Sequence, residues 1–164
     1  LLVKEGYTIV QSFEYVLIMI LAQLPGYLVA AWLVEKLGRK VTLAGFIGMC
    51  AVSAYFFGQS GSVTEIVIWG CLMSFFNLGA WGVLYTYTPE QYPTNIRAFG
   101  SGWAGAIGRI GGIVAPFAVT HLMVMPSGFS YVFTMFTVVL IAVAVVILVL
   151  GEETKGRTLE SLSQ

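Results

Sequence analysis

The sequence predicts an all-α membrane protein, a transmembrane bundle of about five helices. Two observations carry that prediction. Of 164 residues, 58% are hydrophobic and only 10% charged, whereas a soluble domain carries about a quarter charged residues. The apolar residues also gather into five long runs separated by short polar breaks, and about 20 residues at ~1.5 Å each cross a hydrocarbon core of roughly 30 Å. A third observation, Arg109 deep inside one of those runs, bears on function.

The first helix is expected over 11–34, ending in Glu35-Lys36-Leu37-Gly38-Arg39-Lys40. The second covers 41–57, at the short limit for a span, and stops at Gly58-Gln59-Ser60-Gly61-Ser62. The third covers 65–87 and breaks at Thr88-Pro89 and again at Tyr92-Pro93. The fourth, 99–122, carries Arg109 and is closed by Met125-Pro126-Ser127-Gly128. The fifth, 129–150, leads into the polar tail 151–164. No low-complexity linker intervenes, so 1–164 reads as one bundle.

If the helices alternate in direction, Lys36, Arg39, Lys40, Arg97, Lys155 and Arg157 share one side and only Lys4 lies on the other. Basic residues in short loops stay in the cytoplasm, which places the Gly38 loop and the C-terminus there. The opening residues lack the basic and apolar regions of a signal peptide. Starting at Leu1 beside a helix, the chain reads as part of something longer.

Eight basic and eight acidic residues give no basic face for a nucleic acid. Cys50 and Cys71 fall inside apolar runs without metal-ligand spacing and read as small buried hydrophobes. No Ser/His/Asp, Cys/His or metal-ligand set appears, so an enzyme is disfavoured and no metal or cofactor is expected.

Three polar motifs lie at the ends of the first, third and fifth helices. In residues 35–40 Gly38 is free to take positive φ in a tight turn crowded with charge. In Glu90-Gln91-Tyr92-Pro93-Thr94-Asn95-Ile96-Arg97 an acid and a base flank a rigid proline. Glu153-Thr154-Lys155-Gly156-Arg157-Thr158-Leu159-Glu160 alternates charge and could open a short surface helix capped by Thr158. Singly, each also reads as an anchor on the cytoplasmic side.

Together these motifs resemble the C-terminal half of a major facilitator superfamily transporter, helices eight to twelve, over essentially the whole chain. Ala31 stands where the loop motif usually has glycine, and Glu152 where sugar porters commonly have proline. The stretches 85–90 and 109–116 resemble the organic-ion branch, with its bacterial niacin-type transporters and related synaptic-vesicle proteins. The resemblance implies alternating-access transport of a small organic anion, nicotinate above others, in a bacterial cell membrane. It also implies an N-terminal half as partner, and gating roles for Glu35, Lys36, Gly38, Arg39, Lys40, Glu90, Pro93, Thr94, Arg97, Glu153, Thr154, Lys155 and Gly156. A sugar or polyol porter, and a non-transporting structural or receptor protein, are the competing readings.

Arg109 lies too deep to reach water easily, and a guanidinium facing lipid costs on the order of 3 kcal/mol or more. It therefore faces either cargo and a wet cavity or a fixed carboxylate on another helix. Within the chain Glu14 and Glu65 both sit near the outer boundary, so a fixed partner would lie elsewhere. Ser101, Gly105, Gly108, Gly112 and Pro116 share its broad face; small residues there let a helix approach closely, and Pro116 can kink the helix. Gly70, Ser74, Asn77, Trp81 and Tyr85 form a stripe on the third helix, offering either an amide, a hydroxyl and aromatic walls for a flat molecule or helix–helix glue and anchors. Gln23, one turn before Tyr27 and beside Pro25-Gly26, is a further candidate contact. His121 reads as an interface residue. With no carboxylate deep in these helices, a proton carrier would lie in the partner half, or transport would be uniport.

Overall fold

The computed structural model describes residues 9–156. Six helices appear there: α1 (Ile9–Leu21), α2 (Gln23–Leu37), α3 (Arg39–Gln59), α4 (Val63–Glu90), α5 (Arg97–Met123) and α6 (Gly128–Leu150). They make five helices long and apolar enough to cross a membrane, because α1 and α2 join into one run, Phe13–Leu37. The fold is thus the helical bundle that composition and apolar spacing predict. Lys4, Arg157, Thr158, Leu159 and Glu160 lie outside the described residues.

Three boundaries differ from the sequence expectation. The first apolar run, expected as one helix over 11–34, breaks at Ala22. Pro25 explains the position: it has no N–H for the Leu21 carbonyl, and its ring crowds that carbonyl. At the other end α2 continues to Leu37, so a single residue, Gly38, separates it from α3. Conversely, α4 does not stop before Thr88-Pro89 but runs through to Glu90. A proline in the last turn removes one hydrogen bond, and the Gln91 and Tyr92 amides tighten the end by donating to Thr88 O and Pro89 O at 3.3 Å each. The start of α4 is better specified, by a capping box in which Ser62 Oγ accepts from the Glu65 amide and Glu65 Oε2 accepts from the Ser62 amide. Such a box satisfies two of the free donors at a helix start.

α3 is the central element, with α6 and α4 on its flanks and α2 on the far side of α4. One cluster of buried side chains, Leu43, Phe46, Ile47, Ala80, Val83, Tyr87 and Ala144 among them, unites α3, α4 and α6 toward the Gly38 end. A second, built on Ala54, Phe57, Ile66 and Phe133, closes the opposite end. Two buried polar side chains are tied to backbone: Ser53 donates to Met49 O at 2.8 Å, and Thr137 donates to Phe133 O at 2.8 Å and reaches Ala51 O of α3 at 3.2 Å. Cys50 is buried and Cys71 half-buried, and both are free thiols. The outward faces carry exposed apolar side chains such as Leu28, Phe117 and Val149, a surface that only lipid or another protein element covers comfortably.

The α2–α4 crossing depends on glycine. A Cβ added at Gly26 would overlap the Phe75 carbonyl oxygen, and one added at Gly79 would stand 3.1 Å from Gly26 O. Backbone cannot yield as a side chain can. Gly26→Ala is therefore expected to cost about 2 kcal/mol, the range for overpacking, and to lower the thermal unfolding midpoint in detergent. Gly45, exposed on α3 with open space around it, is the control: Gly45→Ala should raise the midpoint slightly, since alanine favours a helix interior by about 0.5–1 kcal/mol. An equal fall in both would contradict this account of the crossing.

Candidate functional site

None of the described residues of α5 is buried, although it is one of the longest helices. Its ends are held. At the start, Gly100 lies against the Tyr92 ring, where an added Cβ would come within 2.5 Å of the ring, and at the far end a Cβ on Gly128 would come within 2.5 Å of Leu122 O. Between these ends Gly105, Gly108 and Gly112, expected as packing surface, meet open space. Pro116 stays within the helix. Lacking an N–H, it leaves the Gly112 carbonyl without its usual partner, while the Thr120 hydroxyl donates to Pro116 O at 2.7 Å.

Arg109 sits twelve residues into this helix from Arg97, or ~18 Å by helical rise. It is exposed, and among the described residues it forms no ion pair and no hydrogen bond. Glu14 and Glu65 are not its partners: Glu65 is engaged by the Gly61 amide at 2.9 Å and by its cap, and Glu14 is exposed on α1. Among the other expected contacts, Asn77, Trp81 and Tyr85 are exposed on α4, and Gln23 is half-buried at the start of α2. The structure brings the Trp81 and Tyr85 rings together, with centroids 5.6 Å apart and planes tilted by 34°. No hydrogen bond joins Arg109 to Asn77 or Gln23 among the described residues. Higher on the stripe, Gly70 is covered by the Met19 side chain of α1, so its role there is packing.

The charged end is organised differently from the expectation. α3 begins with Arg39 and Lys40 and has no side-chain cap of its own, although two cations at the positive end of a helix dipole are unfavourable. The carboxylate of Glu153, from the chain beyond α6, fills that place. It accepts from the Arg39 amide at 2.9 Å, the Lys40 amide at 3.2 Å and the Lys155 amide at 3.1 Å. A helix N-terminus is a natural seat for an anion. Gly38 makes the approach possible twice over: its φ is +98°, and a Cβ there would stand 2.5 Å from Glu153 Oε2.

Around this contact the tail is fastened residue by residue. Arg39 Nε pairs with Glu90 Oε2 at 3.3 Å, and the buried Thr154 hydroxyl donates to the same oxygen. Tyr87 and Gln91 donate to Glu152 O at 2.7 and 3.2 Å. Lys155 Nζ donates to Lys36 O at 2.6 Å. Arg97, expected among the gating residues, forms no ion pair among the described residues; it donates to Pro89 O at 2.9 Å and to Tyr92 O, and so holds the α4–α5 turn. Glu35 and Lys36 form no ion pair among the described residues, and the Lys36 ammonium stands 5.8 Å over the Trp32 ring. Pro93 accepts from the Ile96 amide at 3.1 Å in the turn, Thr94 is exposed, and Gly156 has φ +75°. The sequence does contain a signal for the Glu153 contact, namely a glycine followed by two cations at a helix start whose first turn holds no acid. Without knowledge of what lies in space beside it, that signal names no partner.

Residues 10–163 match the model of the Major Facilitator Superfamily. The chain belongs to the major facilitator superfamily. It is 75% identical over 99% of its length to the niacin transporter NiaP of Acinetobacter baylyi, of which it covers 37%. It is 54% identical over 95% of its length to a putative niacin/nicotinamide transporter of Bacillus subtilis, covering 39% of that protein. The synaptic vesicle 2-related protein of Xenopus laevis is 30% identical over 96% of the chain and is covered for 28%. The chain thus spans little more than a third of the bacterial relatives it matches. These relatives bear out the superfamily and the niacin-type resemblance that the motifs suggested, and with five helices able to cross a membrane they support a multi-pass bacterial membrane protein.

Proposed function

We propose that this chain forms the C-terminal part of a transporter for a small organic anion, an aromatic carboxylate with nicotinate as the specific candidate. The observation that carries the reading is Arg109, a full positive charge in the middle of a membrane-spanning helix with no ion-pair partner among the described residues. Left against lipid it would cost about 3 kcal/mol or more, and a carboxylate cargo removes that cost while gaining a bidentate, charge-assisted contact. The high identity to a protein named as a niacin transporter supports the same cargo.

The cargo would bind near the midplane between this bundle and an N-terminal half, with Arg109 on its carboxylate and Asn77, Trp81, Tyr85 and Gln23 around the ring. The halves would rock to expose it to either side. The charged end, with Gly38, the 90–97 turn and the tail, is the cytoplasmic face by its basic residues. The Glu153 and Glu90 contacts there close one state and part in the other. A proton-coupled mechanism would draw its carboxylate from the N-terminal half; otherwise the protein is a uniporter.

The test is uptake of radiolabelled nicotinate into liposomes carrying the longer protein that contains this chain. Saturable uptake, competed by unlabelled nicotinate and not by glucose, is the expected result. Competition by glucose alone would point to a sugar porter, and no uptake of either to a structural role.

A further inference from the structure

A groove of about 360 Å³ runs along α5 between its charged end and Arg109, lined by Ala98, Phe99, Gly102, Trp103 and Ala106. Small-molecule sites span about 300–1,000 Å³, so the groove is large enough for a single ring. Its floor is bare. Ala98, Gly102 and Ala106 follow one another at every fourth residue, and a Cβ added at Gly102 meets nothing within 4 Å. Its wall is aromatic: Phe99 and Trp103 are both exposed and hold an edge-to-face contact with ring centroids 6.1 Å apart.

Arg109 stands at the head of this groove because it shares one helix with all the lining residues. At ~100° per residue it lies within ~60° of Gly102 and Ala106 around the axis. Helical side chains lean toward the N-terminus and cover the turn before their own Cα, so the guanidinium reaches back over the groove. Trp103 leans the same way, and the two side chains keep an offset of six residues, ~9 Å by rise. That offset admits a carboxylate on the guanidinium with its ring beside the indole. Gly100, Ser101 and Ala104, around the other side of the helix, are half-buried, and Gly100 meets the Tyr92 ring. The groove therefore faces away from this bundle. A guanidinium on that face is costly against lipid, and Arg109 has no ion-pair partner among the described residues. Charge complementarity names an anion as the occupant.

On this basis, and resting on the anion-transport reading above, we infer that the Trp103 groove seats the ring of an aromatic carboxylate held by Arg109. Trp103 is then a cargo contact on Arg109's own helix, separate from the α4 and α2 side chains named above. The bare floor at Gly102 leaves the ring its room. A non-aromatic acid of similar outline keeps the arginine contact and loses the stacking one.

The experiment uses the longer protein in liposomes and measures KM for radiolabelled nicotinate, with benzoate and cyclohexanecarboxylate as competitors. Trp103→Leu should raise KM about fivefold to tenfold, the value of one aromatic contact, while Trp103→Phe stays within about threefold of wild type. Gly102→Leu should raise KM at least about tenfold by filling the floor. It should keep the thermal midpoint, since leucine suits a helix interior better than glycine and open space surrounds the site. On wild-type protein benzoate should compete at least about fivefold better than cyclohexanecarboxylate, and Trp103→Leu should erase that preference. Wild-type KM in both leucine variants would overturn the subsite and leave Arg109 as the anion contact. Lowered midpoints with unchanged KM would show that the groove seats another helix, which overturns the subsite as well. Wild-type protein that takes up no nicotinate would overturn the transport reading and the subsite together. If the variants fail to fold, equal competition by the two acids on wild-type protein overturns the subsite.

Discussion

Arg109→Ala is expected to lower nicotinate uptake at least about a hundredfold while leaving the bundle folded. A hydrogen-bonded charge pair shielded from water loses about 2–5 kcal/mol when one partner is truncated, and about 2.7 kcal/mol corresponds to a hundredfold. The second half of the expectation follows from the structure. Arg109 has no ion-pair partner among the described residues, so its removal orphans no carboxylate there, and α5 buries none of its described side chains. Arg109→Lys keeps the charge but not the planar fork that grips both carboxylate oxygens, and should retain intermediate uptake, down about tenfold. Initial uptake rates set beside thermal unfolding midpoints decide the matter. Undiminished uptake in Arg109→Ala would remove the residue from the cargo site. A midpoint lowered by several degrees in Arg109→Ala and restored in Arg109→Lys would instead assign it to a fixed ion pair.

Gly38→Ala should produce the largest loss of stability at the charged end. An L-residue with a side chain in left-handed backbone costs about 1–2 kcal/mol, and the new Cβ would displace the Glu153 carboxylate that it meets at 2.5 Å. Losing its hydrogen bonds to the Arg39 and Lys40 amides brings the total to at least about 4 kcal/mol, since bonds to a charged acceptor are individually worth about 1.5–3 kcal/mol. Glu153→Gln keeps an acceptor oxygen and loses the charge, so it should cost only about 1 kcal/mol, the scale of a charge at a helix end. Thiol labelling of a cysteine introduced at Thr154 reads the event directly, because Thr154 is 5% exposed while the tail is docked. Labelling should accelerate severalfold in the Gly38→Ala background. Unchanged labelling and an unchanged midpoint would mean the tail is held chiefly by Tyr87, Gln91 and Glu90.

The bundle was legible in the sequence because apolar run length is a one-dimensional property that the bilayer reads directly. The superfamily was legible because three short motifs stood at matching helix ends. What escaped the sequence was pairing across distance. Glu153 and Arg39 are 114 positions apart, and the tail read as alternating charge gave no hint that one of its acids caps α3. Arg97 reads as a gating charge, and only the fold shows it spent on the Pro89 and Tyr92 carbonyls of the α4–α5 turn. The break at Ala22 was missed because Pro25 was read as tolerated within a helix rather than as the first turn of a new one. Gly105, Gly108 and Gly112 were expected to pack, and the described residues place nothing against them. Gly26, noticed only as the neighbour of Pro25, and Gly79, which the sequence does not single out, form the close crossing instead.

The single-residue link at Gly38 also bears on how the chain is made. Two helices joined by one residue form a tight hairpin with no loop between them, so the run Phe13–Leu37 and α3 are constrained to cross the bilayer as neighbours. The bend of that hairpin carries Lys36, Arg39 and Lys40, and cations so close to a span resist translocation. In the orientation proposed above, the bend stays on the ribosome's side of the membrane and fixes the direction of the helices that follow. Glu153, which follows α6, docks on the α3 start only after α3 itself and the three helices after it have been made.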